Sequence, residues 1–175
     1  MARSQSDISN TAIRIFLQKV GEYYDEARGF EKFRPTRLQR QELVDRFARE
    51  CCYCATEVSA ENFTQDHLIP MNKDSLGLHA WGNVVPSCQT CNRDKHKNDW
   101  RSFLTSKCEG EVLVARRRRI ETFVEEKRYE PDLHISDYAA NLYSDVGEVA
   151  MTLIKLRYEQ AQEAIRTLLA GKGSA

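Results

Sequence analysis

Two Cys-x-x-Cys pairs, Cys51/Cys54 and Cys88/Cys91, enclose a stretch of chain with few large apolar residues. Zinc prefers four soft ligands in a tetrahedron, and two such turns supply them from two places in the chain. A joined site ties residue 51 to residue 91, so metal-binding energy substitutes for core the loop lacks. The competing reading is unliganded buried or redox-active thiols. The opening residues, Met-Ala-Arg-Ser-Gln-Ser-Asp, are followed by no apolar core, so no export signal is expected. A disulfide framework is then unexpected, and metal binding is favoured. Cys52 could replace Cys51 only through a tighter Cys-x-Cys turn and is left out of the ligand set. Cys108 reads as a small core residue.

A zinc ion held by four thiolates keeps no open position for water or substrate. Any chemistry must come from other groups inside the loop. His67 is the candidate, because an ordinary imidazole suits a general base at neutral pH. The alternative is a structural histidine at a strand end. Asp66 beside it and Asn92 after the second cysteine pair are hard oxygen donors, of the kind that holds Mg²⁺ together with waters and a substrate phosphate. Adjacent residues on an ideal strand face opposite ways. Asp66 and His67 can therefore serve one site only if the strand ends or twists there, as Pro70 allows.

The surrounding pattern is helical. Ile13, Phe16, Leu17, Val20 and Tyr24 mark a helix over 8–26. Thr36 caps a second helix to about Arg49, with Leu38, Leu43, Val44 and Phe47 as its buried side. Residues 63–70 and 83–87 read as short strands around a polar loop, 71–82. Residues 89–104 read as one helix with Cys91 in its first turn. Helical spacing returns from Gly110 (Val112, Leu113, Ile120, Phe123 and Val124) and stops at Pro131. Ser136 caps a short helix to Tyr143. Asp145 with Glu148 resembles a capping box for a last helix to about Ala170. That helix has two apolar faces, one through Val146, Val149, Leu153 and Leu156, the other through Ala150, Ile154, Ala161, Ile165 and Leu168, which points to two packing partners. Only the last five residues read as disordered.

The spacing Cys51-x-x-Cys54, Asp66-His67-x-x-Pro70, Asn83, Cys88-x-x-Cys91-Asn92-x-x-Lys95 resembles the HNH, or ββα-metal, nucleases of the four-cysteine zinc type. The resemblance covers roughly residues 50–100. It implies that Asp66 and Asn92 ligate one catalytic divalent cation and that His67 activates water. It further implies that Asn83 orients His67 or holds the loop between the strands, and that the four cysteines bind structural zinc. Many family members carry His where Asn92 stands. A neutral amide suits Mg²⁺ or Mn²⁺ better than soft transition metals. His96, one turn on, reads as facing solvent or phosphate rather than as a ligand.

The expected fold is α+β and predominantly helical. A zinc-stabilised ββα-metal core over 51–105 is flanked by helical segments 1–50 and 106–175. The chain has 175 residues and no net charge, which argues against a protein that simply coats nucleic acid. Local basic surface remains: Arg93, Lys95, Lys97 and Arg116 are the candidate nucleic-acid contacts. Arg116 to Arg119 are consecutive, so they point around a helix and cannot form one flat patch. The others of that run are expected to pair with acids such as Glu121 or Glu125. Trp81 and His79, in the loop, read as packing residues rather than groove-entering ones. Trp100 and Phe103 read as core that docks the metal helix on the flanks.

The expected function is metal-dependent hydrolysis of phosphodiester bonds in DNA, in the cytoplasm, in a setting such as restriction or phage defence. The expected partners are DNA and a second copy of the chain or a partner subunit on the helical flanks, with no membrane. The alternative is a zinc-dependent nucleic-acid-binding module without catalysis.

Overall fold

A computed structural model describes the backbone of residues 5–130 and 135–172, and side chains through residue 166. The elements run α1 (Gln5–Ala27), α2 (Arg37–Arg46), β1 (Thr64–His67), β2 (Val84–Ser87), α3 (Gln89–Lys95), α4 (Trp100–Lys107), α5 (Gly110–Glu126) and α6 (Ser136–Lys172). The two strands form an antiparallel pair in which Asp66 faces Val85 and His67 faces Val84. The predominantly helical α+β fold expected from the sequence is thus present, with a two-stranded sheet at its centre. No helix among the described residues is long and apolar enough to cross a membrane.

Several boundaries differ from expectation, each for a local reason. Thr36 does cap α2, accepting from Gln39 N. The helix stops at Arg46, because Ala48 and Arg49 turn into positive φ, and Leu38 is 83% exposed rather than buried. The single helix expected over 89–104 is two. α3 ends at His96, at φ 47°, and Asp99 starts α4 by accepting from Ser102 N at 2.8 Å. An Asp that bonds the backbone three residues on competes with the continuing helix. The reverse holds at the C-terminal side. The two helices expected from Ser136 are one, α6, and Asp145 and Glu148 lie inside it. Gly147 sits where α6 crosses α1: a Cβ there would lie 2.6 Å from Ser9 Oγ. The segment read as a helix start is a close crossing of two helices. α5 ends at Glu126, before Pro131, which lies outside the described residues, as do 173–175 of the tail expected to be disordered.

One hydrophobic cluster draws from all three segments of the chain. Phe33, Leu43, Val44 and Phe47 meet Tyr53, Trp81, Val84, Val85, Trp100, Phe103 and Leu104, and then Ile120 and Phe123 of α5. Trp100 and Phe103 are core, as expected. A second cluster joins Ile13 and Leu17 of α1 to Leu78 and Ala80 of the loop, with Tyr129 and Ala139. The loop between the strands is therefore packed under α1. Trp81 is buried there, its ring edge-on to Phe33 at 4.8 Å and its Nε1 donating to Glu31 O.

Asp25 fastens this arrangement. It is fully buried, accepts from Phe33 N at 2.9 Å and Trp81 N at 3.1 Å, and pairs with Arg28 at 2.6 Å. Burial pushes its carboxyl up, against the pull of those donors. Asp25→Ala takes the carboxylate from the Arg28 guanidinium and leaves the Phe33 and Trp81 N–H groups without their acceptor, and stability is expected to fall by about 3–5 kcal/mol. Urea denaturation reads this; a loss of less than about 1 kcal/mol, the size of an ordinary surface substitution, would show that Asp25 is not the fastening.

Candidate metal centre and active site

The four cysteines come together as the spacing predicts. The sulfurs of Cys51, Cys54, Cys88 and Cys91 all lie within 4.8 Å of one another, and Cys54 and Cys88 are 3.7 Å apart. A tetrahedron with Zn–S near 2.3 Å requires sulfurs about 3.8 Å apart, so the set fits the ion. Two pieces of local structure build it. The first is a tight turn, in which Cys51 N donates to Thr56 O and Ala55 N to Cys51 O. Ala55 there sits at φ 59°. The second is the start of α3, where Cys88 is the cap and its sulfur accepts from Cys91 N. Cys52 N bonds Pro86 O and so ties the turn to β2.

Crowding gives the thiols opposed tendencies. Cys51 is pushed down to about 4, chiefly by a hydrogen bond from Cys52. Burial raises Cys88 and Cys91, and the neighbouring Cys51 raises them further. A divalent cation at the centre resolves this conflict, because it holds all four as thiolates. Cys108 stands apart from the set, half-buried, its sulfur donating to Leu104 O.

Beside this centre lies a cleft of about 750 Å³ whose lining includes Asp66, His67, Asn92, His79, His96 and Lys97. Adjacent strand residues reach one cleft because β1 ends there. Asp66 turns toward α3 and the cysteine turn, and His67 turns toward the loop. Asp66 is buried. It accepts from Tyr53 OH at 2.5 Å and from Lys95 Nζ at 3.2–3.3 Å. Burial raises its carboxyl, with Lys95 and Tyr53 pulling it back. A carboxylate has about four lone-pair sites, so two such donors do not exhaust it. Asn92 is half-buried one residue past the last cysteine, in the same cleft.

His67 is half-buried, and its Nε2 lies 3.0 Å from Nδ1 of His79. Burial first, then His79, Lys95 and Arg14, press its pKa down to about 3. It is therefore neutral at pH 7, with a lone pair able to take a proton. An approaching phosphate anion raises its basicity, as any nearby negative charge does. Asn83 is fully buried and behaves as a clamp. Its Oδ1 accepts from Ile69 N at 2.8 Å, and its Nδ2 donates to Ile69 O and Leu78 O. These bonds fix the two ends of the loop, and none of them goes to His67.

Two of the four expected nucleic-acid contacts are engaged elsewhere. Lys95 is fully buried, with its ammonium on Asp66 and on His67 O at 2.7 Å. Arg116 donates to Tyr53 O at 2.6 Å, locking α5 to the cysteine turn. Arg119 pairs with Glu50, not with Glu121 or Glu125. Arg93 and Lys97 are exposed, with Arg93 against Asp94. His96 is exposed at the cleft rim, as expected. The cleft also has a wall the sequence did not disclose: Asn10, Arg14 and Gln18 of α1, with Lys73 of the loop opposite. Helical periodicity marked the buried side of α1 and carried no sign of what its polar side would face.

Residues 51–105 match the family model described as HNH endonuclease. No curated protein matches the chain. The matched segment is similar to HNH endonucleases, and it carries four cysteines positioned to bind a metal ion.

Proposed function

We propose that this HNH-family core makes the chain a metal-dependent endonuclease that hydrolyses phosphodiester bonds in DNA. The observation that carries the reading is the single cleft in which Asp66, His67 and Asn92 meet beside the four-cysteine centre. His67 takes the proton from the attacking water. Asp66 and Asn92 would hold Mg²⁺ or Mn²⁺, a hard cation matched to their oxygens, which would neutralise the scissile phosphate and stabilise the leaving oxygen. Lys95 and Tyr53 hold Asp66 in place from its buried side. Asn83 keeps the loop closed over the strand that bears His67. Arg14, Lys73 and Lys97, around the cleft, supply the phosphate contacts that Lys95 and Arg116 cannot.

The C-terminal half of α6 supports association through the helical flank, with a second copy or a partner subunit. Leu153, Ile154, Tyr158 and Ile165 are all exposed on it. One such site cuts one strand, so pairing of two copies would allow both strands of a duplex to be cut in one encounter.

The test is supercoiled plasmid and an RNA of similar length, incubated with zinc-loaded protein in Mg²⁺, in Mn²⁺ and without either. Nicked circles are expected only with added divalent cation. Equal nicking without it, or none with either metal, defeats the proposal. Cutting of the RNA alone would overturn the assignment to DNA.

A further inference from the structure

His79 has no part in the chemistry described so far, yet three elements converge on it. Its Nδ1 is 3.0 Å from His67 Nε2, with the rings tilted by 47°. The Phe33 ring packs on its imidazole at 5.1 Å. From the third side, α1 presses on its backbone at Gly21, where a Cβ would lie 2.5 Å from His79 O and 2.9 Å from its carbonyl carbon. Only glycine lets the helix approach so closely. The residue is 9% exposed and lines the cleft beside His67.

Two neutral imidazoles can share one hydrogen bond in two ways, and the choice decides which nitrogen of His67 is free. If His79 Nδ1–H donates, His67 carries its own proton on Nδ1 and has no lone pair for water. If His67 Nε2–H donates, His67 Nδ1 is unprotonated. We propose that His79 is a positioning residue for His67: its Nδ1 accepts the Nε2–H and so keeps Nδ1 of His67 as the nitrogen that takes the proton. The inference rests on the nuclease reading. Proton transfer is balanced within it. Water gives H⁺ to Nδ1, His67 becomes the doubly protonated imidazolium, and its Nε2–H stays on His79 throughout. An orienting partner of this kind typically accounts for about 10–100-fold in activity. Its effect falls on turnover rather than on substrate binding.

The test is ¹⁵N NMR of the histidine ring nitrogens in the full zinc-loaded chain, with kinetics on the same preparations. In the unaltered protein, His67 is expected to show a protonated Nε2 and an unprotonated Nδ1. His79→Leu should release it to a mixture of tautomers and lower kcat about 10–100-fold at unchanged KM. His79→Asn, whose Oδ1 can replace Nδ1 as acceptor, should restore the tautomer and most of kcat. A His67 protonated on Nδ1 overturns the proposal, and so does a His79→Leu protein with unchanged tautomer and kcat. The NMR does not depend on turnover. A chain that cuts nothing but holds His67 in the Nε2–H form through His79 defeats the nuclease reading and keeps the positioning one.

Discussion

His67→Ala is expected to lower metal-dependent strand cleavage by about 10²–10⁴-fold, the usual contribution of a positioned general base. The zinc content and melting temperature should stay close to those of the unaltered chain. The separation of effects follows from where the ring sits. His67 is half-buried at the end of β1, and the bonds that hold that end in place belong to other groups. Asn83 fixes Ile69 and Leu78, and Lys95 bonds the main-chain oxygen of His67, not its ring. Removing the imidazole therefore takes away the proton acceptor and its bond to His79 and leaves the strand held. The measurement is single-turnover nicking, with zinc analysis and a thermal melt as controls. If His67→Ala cuts within threefold of the unaltered chain, His67 is not the base. If it melts far lower, the ring is structural, and the non-catalytic zinc module becomes the better reading.

Stripping the zinc should have the larger effect on the fold. Structural zinc contributes of order 10 kcal/mol to folding in small zinc domains. A whole domain is stable by only about 5–15 kcal/mol. Cys54→Ser alters one half-buried ligand with little change in volume, so packing is not the main loss. The expected result is loss of bound zinc and of the cooperative melt contributed by the strands and α3. Chelation of the unaltered chain should do the same, and readdition of zinc should reverse it. Cys108→Ser is the control, since its sulfur bonds Leu104 O outside the cluster. Calorimetry with metal analysis reads the outcome. A chelated chain with an unchanged transition would show that the hydrophobic core suffices and the four thiols serve another purpose.

These two expectations come from the part of the chain that was most legible. Ligand spacing is a local property, and Cys51, Cys54, Cys88 and Cys91 meet as their spacing requires. The strand, strand, helix order was equally local. Errors arose where one residue type serves two ends. Asp99 fell inside the single helix read over 89–104 and is a cap. Asp145 and Glu148 were read as a capping box and lie within a crossing helix, because the close approach of Gly147 to Ser9 cannot be seen in a window of nearby residues. Lys95 shows the limit most clearly. A lysine two turns into a basic helix looks like phosphate-binding surface, yet this one neutralises a buried carboxylate 29 positions away. Burial of a charge depends on its partner, and a partner distant in sequence leaves no periodic trace. The α1 wall of the cleft and the grip of Gly21 and Phe33 on His79 were illegible for the same reason: both bring together residues more than forty positions apart.

The shared core also bears on how the segment that matches the family model, residues 51–105, could be moved between proteins. Here Phe33, Leu43 and Phe47 from before that segment, and Ile120 and Phe123 from after it, fill the same cluster as Tyr53 and Trp81. Excision at residues 51 and 105 would bare the apolar faces these side chains cover and would remove the Arg14 side of the cleft. The transferable unit must reach from α1 through α5, so the flanks are inherited with the chemistry rather than exchanged around it.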